Sequence, residues 1–312
     1  MVRVYLIKRI INGYKYLSSK CYIPAFCFGG VGLLIGTIWI LSDLSDSPEH
    51  LTLHEIFDQG IHEQGRMPND YPQVNAPSPP RSVSWYSPLA RQCSGIDRDL
   101  QLKLLAARLN QATQRETVVI DKTNFGERYH FDGYGRRLDP TPRVVVIHET
   151  VYSLSSALNT FQTPNPLDED QVSYHTLIGL DGRIVDLVDP LKRAYGAGYS
   201  AFLGEWAITN LRFKGSINNF ALHVSLETPA SGRTFKTSHS GYTDPQYDSL
   251  SFVLSDWMER FKIPPAAITT HRHVDLGGER NDPRSFAWWK LQSRLAALGD
   301  LCVSLTPESA VN

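Results

Sequence analysis

The run Val144-Val145-Val146-Ile147 is apolar at every position and closes on His148. Such a run predicts a strand covered on both faces, of the kind found inside α/β sheets. Ala221 to Leu226 alternates instead. Leu222, Val224 and Leu226 fall on one face of a strand, and His223, Ser225 and Glu227 on the other. Tyr174–Ile178 and Arg183–Val188 flank Asp181-Gly182, a hairpin-type turn signal. Helical spacing appears at Leu100, Leu102, Leu104, Leu105 and Leu109, and a helix is expected over Ser153–Phe161. Thr243 reads as the cap of a helix whose core stripe is Tyr247, Leu250, Leu254, Trp257, Met258 and Phe261, stopped by Pro264-Pro265. Phe286–Leu298 reads as the last helix. Thr117–Ile120 reads as a short strand, and Phe131–Gly135 as a turn. From Arg143 onward the pattern is mixed α/β.

The N-terminal part reads differently. Cys21 to Ser42 holds no charged residue and as a helix would span roughly 33 Å, about a bilayer core. Arg3, Lys8, Arg9, Lys15 and Lys20 precede it; Asp43, Asp46 and Glu49 follow. The excess of basic residues on the N-terminal side places that end in the cytoplasm and the remainder outside. The apolar stretch exceeds the roughly 7–15 residues of a cleaved signal peptide, so an uncleaved anchor in the inner membrane with a periplasmic domain is expected. Pro68, Pro72, Pro77, Pro79, Pro80 and Pro88 mark an extended linker. The expected layout is a basic cytoplasmic segment over 1–20, an anchor over 21–42 and a linker over 43–92. An N-terminal extension over 93–142, the main domain over 143–302 and a tail over 303–312 complete it. Cys93 and Cys302 flank that domain in a compartment where a disulfide persists, and a bridge between them is one open possibility. A net charge of −1 gives no case for nucleic-acid binding, and 42% hydrophobic residues suffice for one sizeable core.

Candidate chemistry gathers around histidine. His148 ends a buried strand. Far downstream come Thr270-His271-Arg272-His273-Val274-Asp275 and Arg280-Asn281-Asp282-Pro283. Two imidazoles and a carboxylate meet the needs of an open zinc site, which uses three protein ligands and leaves one position for water. His271 and His273, two apart in an extended segment, would share a face and compete for the second place. Asp275 competes with Asp282 for the oxygen.

In order along the chain stand His148, the segment Val172–Val185 with Ser173-Tyr174-His175, Arg193–Gly198, Asn219–Glu227, Tyr242–Tyr247, Ile263–Pro265, the His271 segment and Asp282-Pro283. This series, from Arg143 to Leu298, resembles the zinc-dependent N-acetylmuramoyl-L-alanine amidases, the amidase-2 family shared with the peptidoglycan recognition proteins. The resemblance implies a central mixed β-sheet flanked by helices, with Zn2+ at one edge held by His148, His271 and Asp282. It implies that Tyr174 assists at the metal and that Arg280, where relatives often have lysine, steadies charge on the carbonyl oxygen. Two departures stand out. Ser225 falls where bacterial members have a glutamate base, which leaves Glu227 or Tyr174 to serve. Gly196 falls where relatives often have a substrate-holding histidine.

The function implied is hydrolysis of the amide between N-acetylmuramic acid and L-alanine, in peptidoglycan or muropeptides. A module that binds peptidoglycan without cleaving it, and a zinc amidase for another amide, are the rival readings.

Overall fold

The computed structural model describes residues 76–80, 84–109, 115–234 and 236–302. The expected anchor at 21–42, most of the linker and the tail lie outside these residues. No helix among the described residues is long and apolar enough to cross a membrane.

The core is a sheet of six strands: β1 (Arg115–Thr117), β3 (Val144–Glu149), β4 (Thr176–Ile178), β5 (Ile184–Asp186), β7 (Ala221–Leu226) and β8 (Ile268–Thr270). Their order in space is β1-β5-β4-β7-β3-β8. β4 and β5 pair antiparallel, while the pairs β1–β5, β4–β7, β7–β3 and β3–β8 are parallel. β2 (Phe125–Gly126) and β6 (Arg193–Ala194) form a separate antiparallel pair. This is the expected mixed sheet. β3 and β7 are adjacent interior strands and are buried at each position. That explains the continuous apolar run of β3, since a strand covered on both faces has no solvent side to present.

Helices cover the sheet: α1 (Arg98–Leu109), α2 (Leu154–Gln162), α3 (Asp244–Phe261), the single turn α4 (His271–Val274) and α5 (Trp288–Leu298). α3 starts as expected. Thr243 accepts from Gln246 N, and the Gln246 side chain returns the bond to the Thr243 N–H, which satisfies two otherwise orphaned donors. It stops at Lys262, in the left-handed conformation, before Pro264. Tyr247, Leu250, Leu254, Trp257 and Met258 are buried along it.

Three expectations shift. In α1 only Leu104 is buried; Leu102, Leu105 and Leu109 face solvent, so its apolar spacing marks a helix that rests on α5 by one side chain per turn or fewer. The strand expected at Thr117–Ile120 lies earlier, at Arg115–Thr117, where Arg115 pairs with Asp186 of the neighbouring strand. The linker is packed at its C-terminal end. Trp85 donates to the Ala266 carbonyl (2.9 Å) and its ring meets those of Phe202 and Trp288; Leu89 is buried in the core. Cys93 and Cys302 are disulfide-bonded, alongside a Gln92 N–H to Leu301 carbonyl bond of 2.9 Å.

Candidate active site

Parallel strands end at the same edge of a sheet, and β3, β7 and β8 end together here. His148 is the fifth residue of β3. β8 pairs directly with β3, with Ile147 opposite Thr270, so the residue after β8, His271, emerges beside His148. The two rings stand 4.6 Å apart, centroid to centroid, edge to face. The Arg272 N–H donates to the Asp282 carbonyl (3.0 Å) and holds the later loop against this turn. Asp282 Oδ1 lies 3.0 Å from His271 Nδ1, and its Oδ2 3.3 Å from His148 Nδ1. His148, His271 and Asp282 are the one such ligand group among the described residues, with one ligand atom from each within 4.8 Å of the others.

The electrostatics suit a cation. Burial, and then the neighbouring His271, push His148 down to about 4, so its ring is neutral at pH 7 with a lone pair to give. Asp282 is held far below the ordinary carboxylate range: burial opposes its ionisation, and its contacts with the two imidazoles outweigh burial. His148 is fully buried, and its Nδ1 faces only the Asp282 carboxylate, at 3.3 Å and short of a well-formed hydrogen bond. A buried polar atom left without a partner carries a cost of about 1–3 kcal/mol, which a metal ion at that nitrogen would remove. The residues therefore fit zinc: two imidazoles, one carboxylate and an open side.

That open side is a cleft of about 900 Å³, whose lining includes Tyr174, Arg193, Tyr195, His271, Arg280 and Asp282. The Tyr174 ring stacks on His148 at 4.5 Å. Its phenol is pushed up, first by burial and then by the charge of Asp282, so it stays protonated and can donate. Arg280 is exposed on the loop that carries Asp282.

The competitors are placed elsewhere. His271 and His273 do not share an extended segment, for α4 is a helical turn, and residues two apart in a helix diverge. His273 Nδ1 meets Thr270 Oγ1 at 2.6 Å, and its ring packs on Trp85. Asp275 accepts the N–H groups of Gly277, Glu279 and Arg280; it shapes the loop and has no oxygen aimed at the histidines. Glu227 lies one residue past β7 and is not among the residues lining the cleft. Its carboxylate accepts from the Leu180 N–H (3.1 Å) and Arg233 (3.1 Å). Ser225 is fully buried beside His148 in the sheet register, its hydroxyl without a partner.

Two residues with a part in the site were not singled out from the sequence. Glu149, next to His148, is buried and accepts from Tyr242 (2.9 Å), His239 (3.1 Å) and Arg284. Arg284 stands two residues after Asp282 and also donates to the carbonyls of Gly232, Thr234 and Lys236. The pair ties the end of β3 to the Asp282 loop. The signal available was an acid directly following the candidate ligand on a buried strand, where an unpaired charge is not tolerated.

Residues 138–285 match the family Amidase_2, described as N-acetylmuramoyl-L-alanine amidase. The 1,6-anhydro-N-acetylmuramyl-L-alanine amidase AmpD of Citrobacter freundii is 32% identical over 125 residues, which are 39% of this chain and 57% of that protein. AmpD of Enterobacter cloacae is 30% identical over 131 residues, 41% of this chain and 60% of that protein. The chain thus spans somewhat over half the length of these relatives. Among solved structures, a selenomethionine derivative of AmpD is 23% identical, covering 58% of this chain and 94% of the other at a TM-score of 0.43.

Proposed function

We propose that this chain, whose residues 138–285 match the Amidase_2 family, hydrolyses the amide between N-acetylmuramic acid and L-alanine in muropeptides or peptidoglycan. The observation that carries the reading is the convergence of His148, His271 and Asp282, the last two of which line a cleft that also presents Tyr174 and Arg280. Those three residues would hold zinc, which when bound supplies Lewis-acid polarisation of a carbonyl and an activated water. Tyr174 Oη would donate to the oxygen that gains charge as the carbonyl becomes tetrahedral, and the Arg280 guanidinium would stand beside the same oxygen. Tyr174 is preset by its stack on His148, and the Asp275 turn holds the Arg280 backbone N–H at the mouth of the cleft. Of the two residues expected to handle protons, Tyr174 faces the cleft, while the Glu227 carboxylate is held by Arg233 and Leu180.

The proposal includes an extracytoplasmic location, supported by the uncharged span 21–42 with its basic flank and by a disulfide of a kind that persists in oxidising compartments. The test is incubation of the purified chain, with zinc, on defined muropeptides, followed by mass analysis. Release of a free stem peptide with an N-terminal L-alanine is expected. Binding without release would favour a recognition module instead, and cleavage confined to other amides would reassign the substrate.

A further inference from the structure

His223 lies behind the site, fully buried and outside the cleft. In the register of β3 and β7, Val146 pairs with His223 and His148 with Ser225. His148 and His223 therefore rise from the same face of adjacent strands, one step apart. His148 Nε2 stands 3.0 Å from His223 Nδ1. Both side chains are sealed from solvent, so no water substitutes for either partner.

The chemistry of the pair admits one arrangement that leaves His148 Nδ1 bare for a metal. A neutral imidazole carries one hydrogen. If Nδ1 of His148 is to be a ligand, the hydrogen sits on Nε2 and His223 Nδ1 must accept it. His223 then keeps its own hydrogen on Nε2, and that nitrogen has no hydrogen-bond partner. A histidine kept only for structure would be expected to be satisfied at both nitrogens. This one is satisfied on the side of His148 alone.

The fold makes room for the ring at a specific place. A Cβ on Gly196 would lie 2.4 Å from His223 Cγ and 2.5 Å from its Nδ1, so any other residue at 196 expels the imidazole from this position. The His223 backbone is fixed as well: its N–H donates to His175 Nδ1 (2.9 Å), and its carbonyl accepts from the His175 N–H (2.9 Å). The His175 ring stacks on that of His223 at 5.8 Å.

We propose that His223 is a positioning residue for the metal site: its Nδ1 accepts the His148 Nε2 hydrogen and so fixes the tautomer and ring rotation that turn His148 Nδ1 toward His271 and Asp282, in space that Gly196 leaves open. The proposal rests on the reading of His148, His271 and Asp282 as a zinc site. Partners of this kind are worth about 10–100-fold in metal affinity.

The experiment measures zinc affinity of the full chain, purified in detergent, by competition with a chromogenic chelator. It also reads the His148 tautomer in the metal-free protein from the ¹⁵N shifts of its ring nitrogens. His223→Leu fills space without an acceptor and is expected to lose affinity by about 10–100-fold, with His148 no longer held as the Nε2–H form. His223→Asn keeps an oxygen near the place of Nδ1 and is expected to restore both readouts. Gly196→Ala should reproduce the leucine result. If His223→Leu does not fold, His223→Met carries the same comparison. Wild-type affinity together with a wild-type tautomer in the acceptor-less variant would overturn the proposal alone. A wild-type chain that takes up no zinc, or one indifferent to His148→Ala, would overturn the metal site and the proposal with it.

Discussion

Arg284→Met tests how the site is fastened to the fold. The Glu149 and Arg284 side chains are 2% and 10% exposed, so their contact is close to a fully buried ion pair. Arginine to methionine keeps much of the length and apolar stem and removes the guanidinium. Glu149 would retain Tyr242 and His239 as donors but lose its one cationic partner of fixed charge. Breaking a buried pair by removing one member costs about 3–5 kcal/mol, because the remaining charge stays buried. The carbonyls of Thr234 and Lys236 lie in exposed bonds and would recover water, so they add little. Against a total stability of about 5–15 kcal/mol, the loss is severe. With a urea slope of about 3 kcal/mol/M, the unfolding midpoint should fall by about 1–1.7 M. The double variant Glu149→Gln/Arg284→Met removes both charges and should lose less than the sum of the single losses, by about 0.5–3 kcal/mol. Because Arg284 follows Asp282 so closely, zinc affinity should fall with it. Urea unfolding of the disulfide-intact chain decides. A loss under about 1 kcal/mol in Arg284→Met, or single losses that simply add, would show that this pair behaves as a surface contact and does not fasten the site.

Further outcomes follow from the same geometry. The purified chain should carry about one zinc by metal analysis, and His148→Ala with His271→Ala should abolish it; undiminished zinc would sink the ligand assignment. Tyr174→Phe should retain zinc and lose about 10²–10³ in kcat, the usual effect of one oxyanion donor. Glu227→Gln should lose less than Tyr174→Phe; the reverse order in steady-state kinetics would make the Glu227 carboxylate the proton acceptor. Replacing Cys93 and Cys302 by alanine should lower stability by about 2–4 kcal/mol, read by urea unfolding; no loss would show that the bridge between these residues does not restrain the unfolded chain. Protease added to spheroplasts should degrade the domain from outside; a protected domain would contradict the orientation read from the basic flank.

The central strands and the longest helix were legible because their signals are local. β3 needs apolar residues on both faces, and α3 needs a cap, a stripe and a stop; each is written within one short segment. β8 was not legible. Ile268-Thr269-Thr270 is too short and too polar to show a period, and it is a strand because it pairs with β3. Missing it led to an extended reading of the His271 segment, whereas the chain turns into α4 directly after the strand. The place of the Glu227 carboxylate depends on non-local contacts for a related reason. Alternation along β7 does place His223, Ser225 and Glu227 on one side, but the strand ends at Leu226, and beyond it Arg233 and the Leu180 N–H decide where the carboxylate goes.

The candidate ligand set was legible as residue types, and its assembly depends on strand order. His148 and His271 are 123 residues apart in sequence; nothing local joins them. Parallel pairing of β8 with β3 does, because it brings the C-terminal ends of two strands to the same edge, where the chain must leave the sheet and side chains can converge. The same logic explains why His223 went unread. Gly196 was read as a departure, the place of an absent histidine, and His223 only as one member of a strand face. The sheet makes them one feature, since the space that glycine leaves is filled by the histidine ring. A buried imidazole on β7 is costly alone, and it becomes intelligible only beside the one atom of His148 that a metal would not use.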